Sequence, residues 1–600
     1  MAAVNDVVIK IATVNGTGSA SANGLLMKSI FRMGIPVVGK NYFPSNIQGL
    51  PTWYEIRVTG DGYQSRSDRV DLMVAMNAQT YARDLAGVRP GGWLIYDSTW
   101  PRSNLLDRDD VTVLGIPLSK MCNESFDGAR ARILMKNIAY VGAVAALLDI
   151  NLDTITELLS ETFASKPHLI DSNMKAIRLG YDYATENFVC PLPSKVEAID
   201  KTAGHIIIDG NTAAGLGCMY AGATVGAWYP ITPSTSLMDS FRAFCQQYRV
   251  DEATGKRTYC IIQAEDELAA IGMVLGASWN GARSFTPTSG PGISLMSEFL
   301  GYAYYAELPA VVFNVQRTGP STGMPTRTQQ SDILSCAYAS HGDTKHVLLF
   351  PSDPAECFTM AQDAFDLAER LQTPVMVLSD LDIGMNDWMV PEFDIDENKA
   401  ADRGKVLSAD DLENMEKFYR YLDVDGDGIP YRTLPGTHPK GSYFTRGSGH
   451  TRSGGDTEDS DESQDVVDRL LVKWETARQI VPAAEIRYSK FNKAAILSVG
   501  SSDGACTEAL DRLEAQKISM NYCRVRAFPF DDAVKEFIEQ HEVVYVVEQN
   551  RDAQLRTLLM LDCDADPAKL VSLLHYNGTP LHAGFVVDRV LEERSKGQAA

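Results

Sequence analysis

Apolar and polar positions along the first part of the chain alternate in short blocks. Runs such as VVIKIATV, DLMVAMN, GWLIYDS and VTVLGIPL are separated by stretches with helical spacing. From Val7 to about Leu192 this pattern predicts an open α/β domain with a largely parallel sheet. FVCPLPS, Phe188 to Ser194, reads as a proline-marked linker. A second domain opens on the strand HIIIDG and a glycine-rich turn, and repeated strand–helix units carry it to LSDLDIG, Leu378 to Gly384. From about Trp388 to Asp465 the periodicity lapses into Pro, Gly, Asp and Ser. The closing TRSGGDTEDSDESQD has little to bury, so an exposed loop or linker wrapping a neighbouring surface is expected there. A third α/β segment follows, with strands AAILSVG and EVVYVVEQ around the helix-like CTEALDRLEAQK. The expected fold class is α/β with three open α/β domains, at 1–190, 195–388 and 481–600, and an irregular linker and insertion over 389–480. No short-period repeat points to a solenoid.

Composition narrows the function classes. A formal net charge of −23 over 600 residues leaves no basic stripe for nucleic acid. The most apolar helix-like run, Ile138 to Ile150, is shorter than the ~20 residues a bilayer requires and is expected to be a buried helix. The N-terminal MAAVNDVVIKIATVNG lacks a basic region followed by an apolar core and reads as a first strand. A cytoplasmic protein without a membrane or nucleic-acid partner is expected. Ten cysteines are scattered with no CxxC pair, so neither a zinc nor an iron–sulfur signature is present and reduced, mostly buried thiols are expected.

Three glycine-containing segments invite nucleotide or metal chemistry and fall short of it. GTGSASANG, Gly16 to Gly24, follows a strand and opens a helix, but Ser21 stands where a dinucleotide fingerprint needs its third glycine. No acid ends the next strand either, so a tight turn is the better reading. DVDGDG, Asp423 to Gly428, resembles a calcium loop until its twelfth position, Leu434, where a bidentate glutamate belongs. The GDG triplets at Gly60 and Gly426 lack the downstream asparagines of a thiamine diphosphate–Mg²⁺ motif, so the chain has no diphosphate site of its own.

The middle domain carries more specific signals. In WYPITPSTSL, Trp228 to Leu237, two prolines fix φ on either side of Ile231 and Thr232, which pre-sets the hydroxyls around them. In QAEDELAAIGMVLGASWNGARSFTPTSGPG, acids open a helix of small residues. A carboxylate there is set against close-packed backbone, which favours its protonated form and a proton-relay role; the alternative is an acid favoured by the helix dipole. VVFNVQRTGPSTGMPT delivers Arg317 to the carboxyl end of an apolar strand, where ligands of open α/β sheets gather and a guanidinium can take a carboxylate or phosphate bidentately, or simply form a salt bridge.

Together these motifs resemble the pyrimidine-binding domain of the 2-oxoacid:ferredoxin oxidoreductases. The resemblance extends over nearly the whole chain: 1–190 is similar to the family's γ domain, about 200–385 to the catalytic part of its α subunit, and 480–600 to its transketolase C-terminal-like domain. Such a γ–α fusion most resembles the α subunit of 2-oxoglutarate:ferredoxin oxidoreductase. The resemblance implies thiamine diphosphate shared with a β subunit that carries Mg²⁺ and a [4Fe–4S] cluster, CoA as a substrate, ferredoxin as electron partner and an (αβ)2 heterotetramer. It implies that Glu267 meets N1′ of the aminopyrimidine, favouring the imino tautomer; Glu265 and Asp266 are neighbours that could be mistaken for it. It also places Pro230 against the pyrimidine, and Thr232 and Arg317 on the 2-oxoacid carboxylate. Glu548 and Asn550, in VVEQN, match a family motif and are expected at an interface with the other subunit. Pyruvate, branched-chain and aryl 2-oxoacids remain alternative substrates, and a non-catalytic nucleotide- or CoA-binding regulatory chain is the remote alternative.

Overall fold

The computed structural model describes residues 4–45, 49–100, 106–396, 399–489 and 493–599. They form two compact units: one runs to Ile208 and takes in Asn386–Glu392 and His582–Gly584, and the other holds the remaining residues.

The first unit is built on β1 (Asp6–Val14), β2 (Val37–Tyr42), β3 (Pro51–Thr59), β4 (Leu72–Ala75), β5 (Trp93–Asp97) and β6 (Thr112–Ile116), in the order β2-β3-β1-β4-β5-β6. The β1, β4, β5 and β6 strands are parallel, but β3 runs antiparallel to both β1 and β2. This half departs from the largely parallel sheet expected from the sequence. The short connection from Tyr42 to Pro51 has no room for the crossover helix that a parallel pair needs. The apolar run expected from Ile138 belongs to a longer helix, Ala129–Leu148, in which every residue from Asn137 to Leu148 is buried. This is the one helix among the described residues long and apolar enough to cross a membrane. Its partner is the helix Pro167–Asn187: a Cβ on Gly142 would fall 1.9 Å from the Ile177 carbonyl oxygen, and one on Gly180 would fall 1.8 Å from that of Ala139. Only glycine allows the two backbones to approach so closely. β7 (His205–Ile208), expected to open the second domain, instead pairs antiparallel with β14 (Trp388–Pro391) in this unit.

The second unit contains two sheets. In the first, β8 (Val225–Trp228), β9 (Cys260–Gln263), β10 (Ser284–Thr288), β11 (Ala310–Gln316), β12 (Val347–Leu349) and β13 (Pro374–Asp380) are parallel, in the order β12-β13-β11-β10-β8-β9. All residues of β10, β11 and β13 are buried, as parallel strands covered by helices on both faces require. A seventh strand, β18 (Ala527–Phe528), lies antiparallel on β12 and comes from far along the chain. The other sheet contains β15 (Glu485–Arg487), β16 (Ala494–Val499), β17 (Asn521–Val525), β19 (Val543–Glu548) and β20 (Leu570–Leu574), parallel except for β15.

The stretch expected to be exposed loop is more ordered than its composition suggests. A helix runs from Ser460 to Ile480; the Asp459 side chain accepts from the Asp461 and Glu462 amides, and two acids in the first turn suit the helix dipole. The buried positions Val466, Arg469, Leu470, Lys473, Trp474 and Ala477 follow a helical repeat, but two of them are cations. Both reach the same carboxylate. Glu307, wholly buried just past the helix Gly290–Ala306, accepts from Arg469 Nη1 at 3.0 Å and Lys473 Nζ at 2.8 Å, while Arg420 Nη2 donates to its main-chain oxygen at 2.9 Å. Burial alone would raise the Glu307 carboxyl, but Arg469, Lys473 and Arg420 hold it well below the usual range. Burial also lowers the Lys473 ammonium, to about 8, against the pull of Glu307. In the calcium-like turn, Lys405 Nζ donates to Asp425 at 2.6 Å and to Asp427 at 2.8 Å, and Asp423 accepts the Gly426 and Gly428 amides. A lysine side chain thus supplies the positive charge that this acidic turn calls for.

Candidate active site

The strand order sets the carboxyl ends of β11, β10, β8 and β9 side by side, and each delivers one segment singled out in the sequence. β8 runs into Tyr229 and exposed Pro230, then half-buried Thr232, whose bond to Pro233 is cis. Asn211 holds this turn from beneath, donating to the Pro233 carbonyl and the Ser236 hydroxyl, each at 2.8 Å. β9 runs into three successive acids with different surroundings. Glu265 is exposed; Asp266 caps the helix Glu267–Trp279 by accepting from the Ala269 amide at 2.7 Å; Glu267 is 6% exposed. Among the described residues the Glu267 carboxylate has no hydrogen-bond or ion-pair partner. β10 leads into the helix Gly290–Ala306, and β11 leads into Arg317.

Close contacts join these segments. Arg317 Nη1 donates to the main-chain carbonyl of Thr232 at 2.6 Å, leaving the threonine hydroxyl uncommitted to it. Its Nε is buried without a partner, burial lowers the guanidinium pKa, and the charge of Asp332 works against that shift. Asp332 accepts from Asn314 Nδ2 at 3.0 Å; burial raises its carboxyl, opposed by Asn314 and Arg317. The first turn of the Gly290 helix lies between the two acids. A Cβ on Gly290 would come within 2.9 Å of Asp332, and one on Gly292 would fall 2.0 Å from the Thr288 hydroxyl and 2.9 Å from Glu267 Cγ. That crowding accounts for the glycines of TSGPG. A cavity of about 580 Å³ opens over this turn, lined by Gly290, Pro291, Ser294, Arg317 and Asp332 on one side and by Arg551 and Tyr576 on the other. The amino end of the helix adds positive potential to it.

The structure therefore brings Thr232 and Arg317 into direct contact and sets Glu267 behind the adjacent helix turn, while Pro230 stands at the surface. Asp332 and Asn314 did not emerge from the sequence. In TQQSDIL the aspartate reads as one polar residue before a short helix, and only the fold turns it towards β11. Glu548 differs from its expected interface position. It is fully buried and accepts from Asn550 Nδ2 at 2.8 Å and from the Leu555 and Arg556 amides at 2.7 and 3.0 Å, so it anchors the start of the helix Gln554–Asp562. Asn550 also turns inward, donating to the Gln330 carbonyl at 3.0 Å. All ten cysteines are free, and eight of them are buried.

Comparison with known proteins agrees with this geometry. Residues 216–418 match the family described as pyruvate flavodoxin/ferredoxin oxidoreductase, thiamine diphosphate-binding, and residues 8–183 match the one described as pyruvate ferredoxin/flavodoxin oxidoreductase. The chain is 31% identical to subunit alpha of 2-oxoacid:ferredoxin oxidoreductase 2 from Aeropyrum pernix, over 98% of both chains. It is 29% identical to the 2-oxoglutarate oxidoreductase subunit KorA of Mycobacterium tuberculosis, over 65% of this chain and 63% of that one. The solved 2-oxoglutarate:ferredoxin oxidoreductase of Magnetococcus marinus, with 2-oxoglutarate, coenzyme A and succinyl-CoA bound, matches with a TM-score of 0.88 and 28% identity, over 98% of this chain and 99% of that one. Fold and site thus define a chain of an oxidoreductase enzyme, with a thiamine-diphosphate-binding domain at its centre. It belongs to the 2-oxoacid:ferredoxin oxidoreductase family, in the line of its α subunits.

Proposed function

We propose that this chain is the α subunit of a 2-oxoglutarate:ferredoxin oxidoreductase that interconverts 2-oxoglutarate plus CoA with succinyl-CoA plus CO2 and passes the electrons to ferredoxin. The observation that carries the reading is Glu267, 6% exposed and without a hydrogen-bond or ion-pair partner among the described residues, packed against Gly292 in the same helix turn whose Gly290 lines the cavity at Arg317. A little-exposed carboxylate that accepts nothing from the described residues is free to receive a donor that approaches from outside the chain. A protonated pyrimidine nitrogen is such a donor, so the residues present fit thiamine diphosphate, with Glu267 and Pro230 as the groups that would hold it. When bound, that cofactor supplies the carbanion chemistry by which the carboxyl carbon is cleaved from a 2-oxoacid.

The chain's own residues position and protonate. Glu267 Oε would hold a proton at the pyrimidine ring, in a little-exposed place where charge acts more strongly than in water. Arg317 is anchored through one terminal nitrogen to the Thr232 carbonyl, which steadies its remaining N–H groups towards the cavity and the carboxylate of an incoming 2-oxoacid. The Thr232 hydroxyl, on the same turn, donates to the keto or carboxylate oxygen. Tyr229, Ile262, Leu268, Met273 and Leu295 flank these segments and are all more than a third exposed, as suits a face covered by another subunit. In this reading that β subunit brings the diphosphate's Mg²⁺ and a [4Fe–4S] cluster, the pair assembles as (αβ)2, and the enzyme is cytoplasmic. The Magnetococcus and KorA relatives support 2-oxoglutarate; pyruvate, branched-chain and aryl 2-oxoacids would use the same site.

The test is an anaerobic assay of the chain alone and with its β partner, scoring CoA-dependent viologen reduction with 2-oxoglutarate against pyruvate. Activity only in the pair, with 2-oxoglutarate preferred, supports the whole reading. A preference for pyruvate rejects the substrate, and activity of the isolated chain rejects the shared site. In the same assay Arg317→Lys keeps the charge but loses the planar fork. It should lower kcat/KM for the 2-oxoacid by about 10- to 100-fold, mainly through KM; an unchanged profile would remove Arg317 from the substrate site.

A further inference from the structure

Among the ionisable groups of the cavity without a part in the scheme above, Asp332 is the one beside Arg317 in the wall. It is fixed by the Asn314 amide from β11 and by its own amide, which donates to Gln316 Oε1 at 3.0 Å. The charged and titratable groups facing it can be named element by element. β11 leads into Arg317; the Gly290 helix presents its positive end; the helix Ile333–Ala337 presents Cys336, whose thiol burial keeps protonated. Across the cavity Arg551 and Asp552 pair with each other at 2.7 Å. Arg317 is therefore the cation that shares this wall with Asp332, with neither a hydrogen bond nor an ion pair joining the two among the described residues.

A 2-oxoacid arriving at Arg317 brings a second carboxylate to a single desolvated guanidinium. Two anions sharing one cation repel, and the weaker acid of the two takes a proton. A 2-oxo carboxylic acid is stronger than an aspartic side chain because its keto group withdraws electrons, so the proton goes to Asp332. We propose that Asp332 is the counter-ion of Arg317 in the empty site, and that the substrate carboxylate replaces it while Asp332 takes up one proton from solvent. The inference rests on the 2-oxoacid reading of this site. Asp332 acts through Arg317 and is a positioning residue: it offsets the guanidinium's charge while the site waits, then withdraws its own charge when the substrate carboxylate arrives. Gly290 is part of the device, since a Cβ there would meet the carboxylate at 2.9 Å.

Proton uptake on binding makes affinity pH-dependent. In the assembled enzyme KM for the 2-oxoacid should rise with pH, by up to about tenfold per unit between the two Asp332 pKa values, with no matching change in kcat. D332N, which mimics the protonated side chain, should show a KM independent of pH over the same interval. A variant that keeps the wild-type slope overturns the proposal. Should D332N fail to assemble, calorimetry decides on the wild-type complex. Titration with 2-oxoglutarate, in two buffers of different ionisation enthalpy and across the pH range of the KM series, should report uptake that rises to about one proton per site inside that interval, and zero uptake throughout overturns the proposal. A complex that neither binds nor turns over any 2-oxoacid overturns the functional reading as well, so the two failures are distinguishable.

Discussion

Glu267→Gln is expected to lower kcat of the assembled enzyme by about 10²- to 10⁴-fold, the range for loss of one acid–base group, while leaving assembly intact. Glutamine keeps the volume that packs against Gly292 and still accepts hydrogen bonds, but it cannot share a proton with the ring nitrogen of a cofactor. Anaerobic turnover together with sedimentation of the complex reads both halves of this expectation. Wild-type turnover in the variant would take Glu267 out of the reaction. The neighbouring acids provide internal controls. Asp266→Asn weakens the cap on the Ala269 amide and should cost at most about 1 kcal/mol of stability, with turnover retained. Glu265→Gln, at an exposed position, should change neither stability nor turnover.

The largest effect on stability is expected at Glu307. Glu307→Gln leaves Arg469, Lys473 and Arg420 buried around a neutral group and should cost about 3–5 kcal/mol, seen as a lower urea midpoint for the second unit. The pH dependence has a definite sign. The folded carboxyl is held below its ordinary 4.5, so its stabilisation is complete above about 4.5 and is lost as pH falls towards the folded value. The variant should lack this part of the acid sensitivity. If wild type and variant lose stability in parallel below that pH, the Glu307 cluster is not its source.

How much of this was legible in the chain depended on what each residue had to signal. Parallel strands buried on both faces announce themselves as apolar runs, and β11 and β13 were readable for that reason; β10, SFTPT, is just as buried but carries little apolar signal. The rule that ligands gather at strand carboxyl ends singled out Arg317, the resemblance set Thr232 beside it, and the hydrogen bond between them became visible only in the fold. The antiparallel half of the first sheet was hidden because strand direction is set by the length of a connection, which apolar pattern does not encode. The Ser460–Ile480 helix was hidden because its buried face is part cationic; Arg469 and Lys473 reveal themselves only once Glu307 stands opposite. Glu548 misled for a related reason, since a carboxylate at a strand end reads as a contact for a partner until the Leu555 and Arg556 amides are seen to occupy it.

The two-residue strand β18 has a consequence for how the chain comes into being. The sheet that carries the site has its outer strand, β12, covered only when Ala527 and Phe528 arrive, with Phe528 set against Trp474 and Phe530 at ring distances of 5.1 and 5.4 Å. During synthesis, all site residues from Pro230 to Arg317 have emerged long before that edge closes. A nascent or truncated chain that stops short of Phe528 exposes the main-chain groups of Leu348 and Leu349 as a template for another strand. The pieces into which the sequence divides so readily are thus not independent folding units: the catalytic segment waits on the last quarter of the polypeptide, and expression of residues 195–388 alone should yield aggregate.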